Sequence, residues 1–256
     1  MKSLKISSLT LFLSLFCIFI FSNSFSQSSL FSFQKYTNAE GDSLNYRLLT
    51  CDYDTTSKYP LVIFLHGSGE RGSDNEAQLK WGVLNFASDN TMKLYRPIVI
   101  APQCPENMSW SNLNEDTMTL LPSPSKPMQL LIELINKTIK DFPVDINRIY
   151  ITGLSMGGFG TYDAIMRYPN LFAAAVPVCG AGDVSKADTI AKIPIWIFHG
   201  ALDPAVDPAN SMKMIEALTK AGAHPGFTQY PKAGHFSWIA AYSDPMMMEW
   251  LFSQHK

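Results

Sequence analysis

Short uninterrupted apolar runs recur along the chain, each closed by a glycine or proline turn. They fall at residues 61–65 in "YPLVIFLHG", 98–101 in "RPIVIAPQCP", 149–152 in "NRIYITG", 173–178 in "FAAAVPVCG" and 195–198 in "IPIWIFHG". A short run without alternation is the pattern of a strand buried on both faces. "GFTQYP" is more polar and reads as a strand nearer a sheet edge. Upstream, residues 38–49 ("NAEGDSLNYRLL") read as a strand end, an "EGD" turn and an alternating strand. Helix-period segments lie between the runs. Residues 128–141 carry Leu130, Leu131, Leu134, Ile135 and Ile139 on one face; 156–168, 211–221 and 242–253 give three more. Strands alternating with helices predict an α/β fold, a mostly parallel sheet of about eight strands with helices on both faces. No internal repeat or interdomain linker breaks residues 27–256, which read as one domain. The longest irregular stretch, residues 102–127, follows a strand's carboxyl end, where open α/β sheets bind ligands.

Composition adds boundaries. A chain of 256 residues, 46% hydrophobic, supports one large core. The net charge of −2 and the lack of a basic block give no case for nucleic acid or an anionic membrane surface. Residues 1–26 have Lys2 and Lys5, an apolar run from Leu9 to Phe21, then Ser24 and Ser26 two apart. This predicts a signal peptide cleaved after Ser26, hence export to the periplasm or outside the cell, with no stable membrane association afterwards. The run is closer to a signal core than to the ~20 residues of a membrane span. Cys17 follows bulky Phe16, which does not suit lipidation. Cys51, Cys104 and Cys179 then remain; an odd count predicts at least one free thiol or a pairing between chains, the sequence does not choose a pair among the three, and their spacing suits no metal site.

The chemistry centres on "RIYITGLSMGGFGTYDAIMRYP". An apolar strand enters, an amphipathic helix leaves, and Ser155 stands between Gly153 and Gly157. Small neighbours allow a tight turn that lifts a serine oxygen clear of the sheet, as a nucleophile requires. The helix N-terminus aims its free N–H groups at the same place. A serine hydroxyl needs a base, and in such turns the order is Ser, acid, His. Asp203 in "IWIFHGALDPAVD" is the candidate acid, and His235 in "YPKAGHFSW" the candidate base. Asp207 competes with Asp203 but suits a helix cap before Pro208; Asp183 also ends a strand on the ligand side. His66 and His199, each before a glycine, read as loop braces. Acyl transfer needs N–H donors for an oxyanion. The Met156 N–H is one candidate; the Ser68 N–H in "HGSGERG" is the other, with Gly69 behind it. Adjacent Glu70 and Arg71 could pair and stiffen that loop.

"LHGSGERG", "PQCPENMSW", "RIYITGLSMGGFGTYDAIMRYPNLFAAAVPVCGAGD", "IWIFHGALDPAV" and "YPKAGHFSWIAAYSDPMMMEWLFSQ" together resemble the α/β-hydrolase superfamily. Within it the chain is similar to secreted bacterial carboxylesterases of the phospholipase/carboxylesterase and polyhydroxybutyrate-depolymerase-like groups, relatives of the prolyl oligopeptidase catalytic domain. The likeness runs from about residue 35 to the end. It implies a Ser155–Asp203–His235 triad, an oxyanion hole at Ser68 and Met156, and ester hydrolysis with no metal or cofactor. Asp207 departs from the pattern, which often has Pro there. Trp110, Phe159 and Trp238 could wall an apolar cleft for an aryl or short acyl ester. Family analogy extends this to feruloyl or acetyl esters of plant polysaccharide. The rival readings are a prolyl-oligopeptidase-type peptidase, an acyltransferase, or a non-catalytic binding module on the same fold.

Overall fold

The computed structural model describes residues 27–54, 56–114 and 116–256; the expected signal peptide lies outside the described residues. In chain order the strands are β1 (Phe31–Thr37), β2 (Ser43–Leu49), β3 (Tyr59–Leu65), β4 (Ile98–Pro102), β5 (Leu113–Asn114), β6 (Thr119–Leu120), β7 (Val144–Leu154), β8 (Ala174–Val178), β9 (Trp196–Gly200) and β10 (Gly226–Tyr230). The helices are α1 (Asp89–Leu94), α2 (Lys126–Asp141), α3 (Met156–Arg167), α4 (Ala187–Ile190), α5 (Ala209–Lys220), α6 (Trp238–Ser243) and α7 (Pro245–Ser253). Eight strands form one sheet in the order β1-β2-β4-β3-β7-β8-β9-β10, and β5 and β6 make a separate small ribbon. Within the large sheet the β1–β2 and β2–β4 pairs are antiparallel and the others parallel; the β5–β6 ribbon is antiparallel. The polar strand β10 is an edge, as its pattern predicts.

Side chains alternate across a strand, so each apolar run supplies two cores. Leu61, Ile63, Leu65, Ile100 and Ile151 face α2 and α5, packing with Leu130, Leu134, Met214 and Leu218. Val62, Phe64, Val99, Tyr150 and Val176 face the other way, toward Phe86, Trp238, Tyr242, Leu251 and Phe252. A continuous apolar run is therefore required by helices on both faces, not by deep burial on one.

One helix expectation needs correction. Residues 242–253 do not form a single helix: α6 ends at Ser243, and Asp244 is extended (φ −79, ψ 112) before Pro245 opens α7. Proline disfavours helical geometry in the residue before it and suits a helix's first turn. The Asp244 carboxylate accepts the Met246 N–H at 2.9 Å, capping the new start. Cys51, Cys104 and Cys179 are all free thiols, the last two buried. No helix among the described residues is long and apolar enough to cross a membrane.

Candidate active site

Strand order places the site. β4 and β7 flank β3, so the direction of strand addition reverses there, and loops leaving β3 and β7 border a crevice. Ser155 occupies the one-residue turn between β7 and α3, with φ 52 and ψ −119. An L-residue adopts that conformation at a cost, and the surrounding packing holds it. The Ser155 N–H donates to Val178 O on β8 at 3.0 Å. A Cβ on Gly157 would stand 2.0 Å from Leu65 O, and one on Gly158 2.6 Å from Val178 O. The start of α3 is thus wedged against the ends of β3 and β8 by backbone contact, which only glycine permits. The result is a half-buried hydroxyl, facing the cleft, on a fixed backbone.

The loops after β9 and β10 bring Asp203 and His235 to that hydroxyl. His235 Nε2 is 2.8 Å from Ser155 Oγ, and His235 Nδ1 is 2.8 Å from Asp203 Oδ2. A carboxylate only accepts, so Nδ1 carries the proton and Nε2 accepts from the serine. Asp203 Oδ1 also accepts the N–H groups of Ala205 at 2.9 Å and Val206 at 3.0 Å. Burial alone would raise the Asp203 carboxyl. The hydrogen bonds from His235, Val206 and Ala205 outweigh it and hold the group below its ordinary value, so it stays charged.

The competing residues are engaged elsewhere. Asp207 accepts the Ala209 N–H at 2.9 Å in the first turn of α5. Asp183 accepts Leu120 N–H at 3.0 Å and Ser185 N–H at 2.9 Å, tying β6 to the loop after β8. His66 donates from Nδ1 to Gly67 O at 2.6 Å and accepts the Cys104 N–H at Nε2. Burial pushes its pKa down to about 4, so it is neutral. His199 is also held below its ordinary value, chiefly by burial. It bridges Ser211 Oγ (2.7 Å) and Val206 O (3.0 Å), with Nε2 3.3 Å from Asp203 Oδ2. Cys179, Asp203 and His235 place their ligand atoms within 4.8 Å of one another. That set is poorly suited to a metal: both His235 nitrogens are engaged, and burial pushes the Cys179 thiol up to about 12.

Beside Ser155, the Met156 N–H heads α3, where the first N–H groups lack intrahelical partners. The loop after β3 approaches from the other side; a Cβ on Gly67 would lie 3.6 Å from Ser155 Cβ. Ser68 follows in a short 3₁₀ turn, Ser68–Glu70. Glu70 and Arg71 do not pair. Glu70 is buried beneath Gly67, its carboxyl raised chiefly by burial, while Arg71 lines the open cleft.

That cleft has a volume of about 460 Å³ and includes Ser155, Met156, Phe159, Leu113, Met118 and Val206 among its walls. Of the three aromatics expected there, only Phe159 lines it. Trp110 is fully buried: its indole N–H donates to His66 O at 3.2 Å, and its Cβ packs where a Gly160 side chain would stand. Trp238 is also in the core, three residues past His235 on the inner face of a turn. Its ring meets the His235 ring edge-on at 5.2 Å and so backs the imidazole. The stretch 102–127 does reach the cleft, through Ser109, Ser111, Leu113 and Met118. Its anchor, unread in the sequence, is Asp163 on α3. The buried carboxylate accepts Ser111 Oγ at 3.1 Å and Asn112 N–H at 3.0 Å, and pairs with Arg167 at 2.6 Å. Arg167 in turn donates to Leu121 O and Pro122 O. An Asp on the apolar side of a helix with Arg four residues on was the available signal.

A strand order that switches at β3, with a strained serine turned out between β7 and α3, belongs to the α/β hydrolases. Within that class, residues 49–244 match the Phospholipase/Carboxylesterase family model, and the chain belongs to this family. A solved thermostable esterase is 41% identical with a TM-score of 0.84, over 90% of this chain and 64% of that one. The bifunctional acetylxylan esterase/xylanase of Neocallimastix patriciarum is 24% identical over 58% of this chain and 20% of its own length. Poly(3-hydroxyalkanoate) depolymerase C of Paucimonas lemoignei is 28% identical over 62% of this chain and 44% of its own. The chain thus spans less than half of either curated relative.

Proposed function

We propose that this protein is an exported serine esterase that hydrolyses carboxylic esters through Ser155, His235 and Asp203. The observation that carries the reading is the unbroken hydrogen-bonded row from Asp203 Oδ2 through His235 to Ser155 Oγ, ending at a cleft. His235 Nε2 takes the serine proton as Oγ attacks the ester carbonyl. Asp203 fixes the imidazole tautomer and stabilises its charged form. The tetrahedral oxyanion is received by the Met156 N–H and the Ser68 N–H, groups that need no reorganisation as charge develops. His235 returns the proton to the departing alcohol; water then repeats the sequence on the acyl-enzyme. Every step uses groups of this chain.

The substrate class follows from the cleft and the relatives together. A volume of about 460 Å³ with Phe159 as its aromatic wall suits a short acyl or single aryl group. The acetylxylan esterase relative supports an acetyl ester on plant polysaccharide as the partner, and the feruloyl esterase B of Neurospora crassa, also similar to this chain, supports a feruloyl one; a small-molecule ester fits the same cleft. Export rests on the signal pattern of residues 1–26.

The test is hydrolysis of 4-nitrophenyl acetate and butyrate by the purified protein, with fluorophosphonate labelling. Ser155→Ala should lower kcat/KM by about 10,000-fold or more and abolish labelling. Acetylated xylan and methyl ferulate then separate the acyl groups. A protein that hydrolyses no member of a broad ester panel and takes no label is not an esterase.

A further inference from the structure

The cleft contains a cation, Arg71, that pairs with none of the described residues. Arg71 lines the cleft beside Ser155, and its Nε is buried without a hydrogen-bond partner. No ion pair or hydrogen bond joins its guanidinium to any other described residue. The described carboxylates considered around it are committed elsewhere. Glu70, its neighbour in sequence, lies buried beneath Gly67. Asp163, behind the cleft wall, is paired with Arg167. Among the described lining residues Asp207 is the other charged one; it is exposed, is not within ion-pair distance of Arg71, and accepts the Ala209 N–H. A guanidinium offers five donors in a planar fork that matches a carboxylate, and an unmet buried donor is costly until a ligand meets it.

Building on the esterase reading, we propose that Arg71 is a specificity-determining residue that binds a carboxylate carried by the substrate. The preferred ester has an anionic group within reach of the bond being cut, on its acyl or its alcohol side. Arg71 moves no proton and forms no covalent bond; it holds the substrate's charged end while Ser155 attacks the carbonyl.

The experiment compares charged and neutral partners in two arms. On the acyl side, 4-nitrophenyl hemisuccinate is set against 4-nitrophenyl pentanoate. On the alcohol side, 4-acetoxybenzoate is set against its methyl ester. The readout is the charged-to-neutral ratio of kcat/KM, measured in wild type, Arg71→Gln and Arg71→Lys. Arg71→Gln should lower that ratio about tenfold or more in one arm, the worth of a lost charge-assisted hydrogen bond. Arg71→Lys, a point charge without the fork, should fall between. Added salt should lower the wild-type ratio and leave that of Arg71→Gln flat. The proposal is overturned if Arg71→Gln lowers charged and neutral esters in equal proportion, which would make Arg71 a general structural or transition-state group. It is equally overturned if neither ratio moves. Wild type that turns over no neutral ester and takes no fluorophosphonate would instead remove the esterase reading, and this proposal with it.

Discussion

Gly157→Ala is the sharpest probe of how the serine is held. A methyl at that position would stand 2.0 Å from Leu65 O, 2.6 Å from Leu65 C and 2.9 Å from His66 O. An ordinary C···O contact is about 3.3 Å, so the start of α3 and the end of β3 must separate by more than ~1 Å. All three crowding atoms are backbone, and β3 lies mid-sheet, hydrogen-bonded to β4 and β7. No side chain can rotate away to relieve the clash. Overpacking of this kind costs about 1–3 kcal/mol, and the upper end applies when neither partner can yield. For a domain of this size that corresponds to a melting temperature lower by about 5–10 °C. The catalytic effect should be larger than the stability loss implies, because a displacement of ~1 Å in a reacting group costs on the order of 100-fold in rate. Gly69 supplies the control in the facing loop, since a Cβ there meets nothing within 4 Å. Gly69→Ala should stay within ~0.5 kcal/mol of wild type. Thermal melts and kcat/KM on 4-nitrophenyl butyrate check both parts. A Gly157→Ala protein that melts with wild type and keeps its kcat/KM would refute the wedge, as would Gly69→Ala falling equally far.

Two further outcomes test the strain and the burial at this site. Ser155 has φ 52 and ψ −119, a region costly for any residue with a Cβ, so Ser155→Gly should be more stable than Ser155→Ala by about 1 kcal/mol or more. Equal melting temperatures for the two Ser155 variants would show that the turn stores no strain. His66 is held neutral by burial, with its pKa down to about 4 against the usual 6.5. Below pH 6.5 the unfolded chain takes up a proton that the folded chain refuses, so the His66 contribution lowers stability as pH drops from 6.5 to about 4 and is constant below. At about 1.4 kcal/mol per pKa unit the loss is on the order of 3 kcal/mol. Urea unfolding at both ends of that window should show a steeper pH dependence in wild type than in His66→Gln; parallel slopes would contradict the assignment.

What could be read from the sequence is what one segment determines by itself. Residues 61–65 and 98–101 announce buried strands because no polar residue interrupts them, and a mostly parallel sheet covered by helices follows from the alternation of such runs with helix-period segments. Ser155, Asp203 and His235 could be named because each sits just past a strand, in its own glycine-rich or proline-marked turn at the carboxyl end of the sheet. The aromatic cleft failed for the opposite reason. Whether Trp110 faces a ligand or the core depends on Gly160, fifty residues away, which leaves the space that the indole fills. Trp238 was similarly assigned to the cleft from its nearness to His235, whereas one helical turn carries it inward. Arg71 looked like half of an ion pair until the fold turned its neighbour Glu70 under Gly67.

Asp163 shows how that missing information bears on function. α3 begins with the residue that follows Ser155, and two turns later it presents Asp163 to the stretch that supplies Ser109, Ser111, Leu113 and Met118 to the cleft. Ser155 and one wall of the cleft are thus fixed to a single helix, itself wedged at Gly157 and Gly158 against two strands. A shift of α3 therefore moves Ser155 and that wall together, so their mutual distance is preserved while their distance to His235 and Arg71, on loops from other strands, changes. Perturbing the wedge should accordingly lower turnover on every ester alike, whereas perturbing Arg71 should sort one ester from another. That division makes the two kinds of variant independent tests of how this site is built.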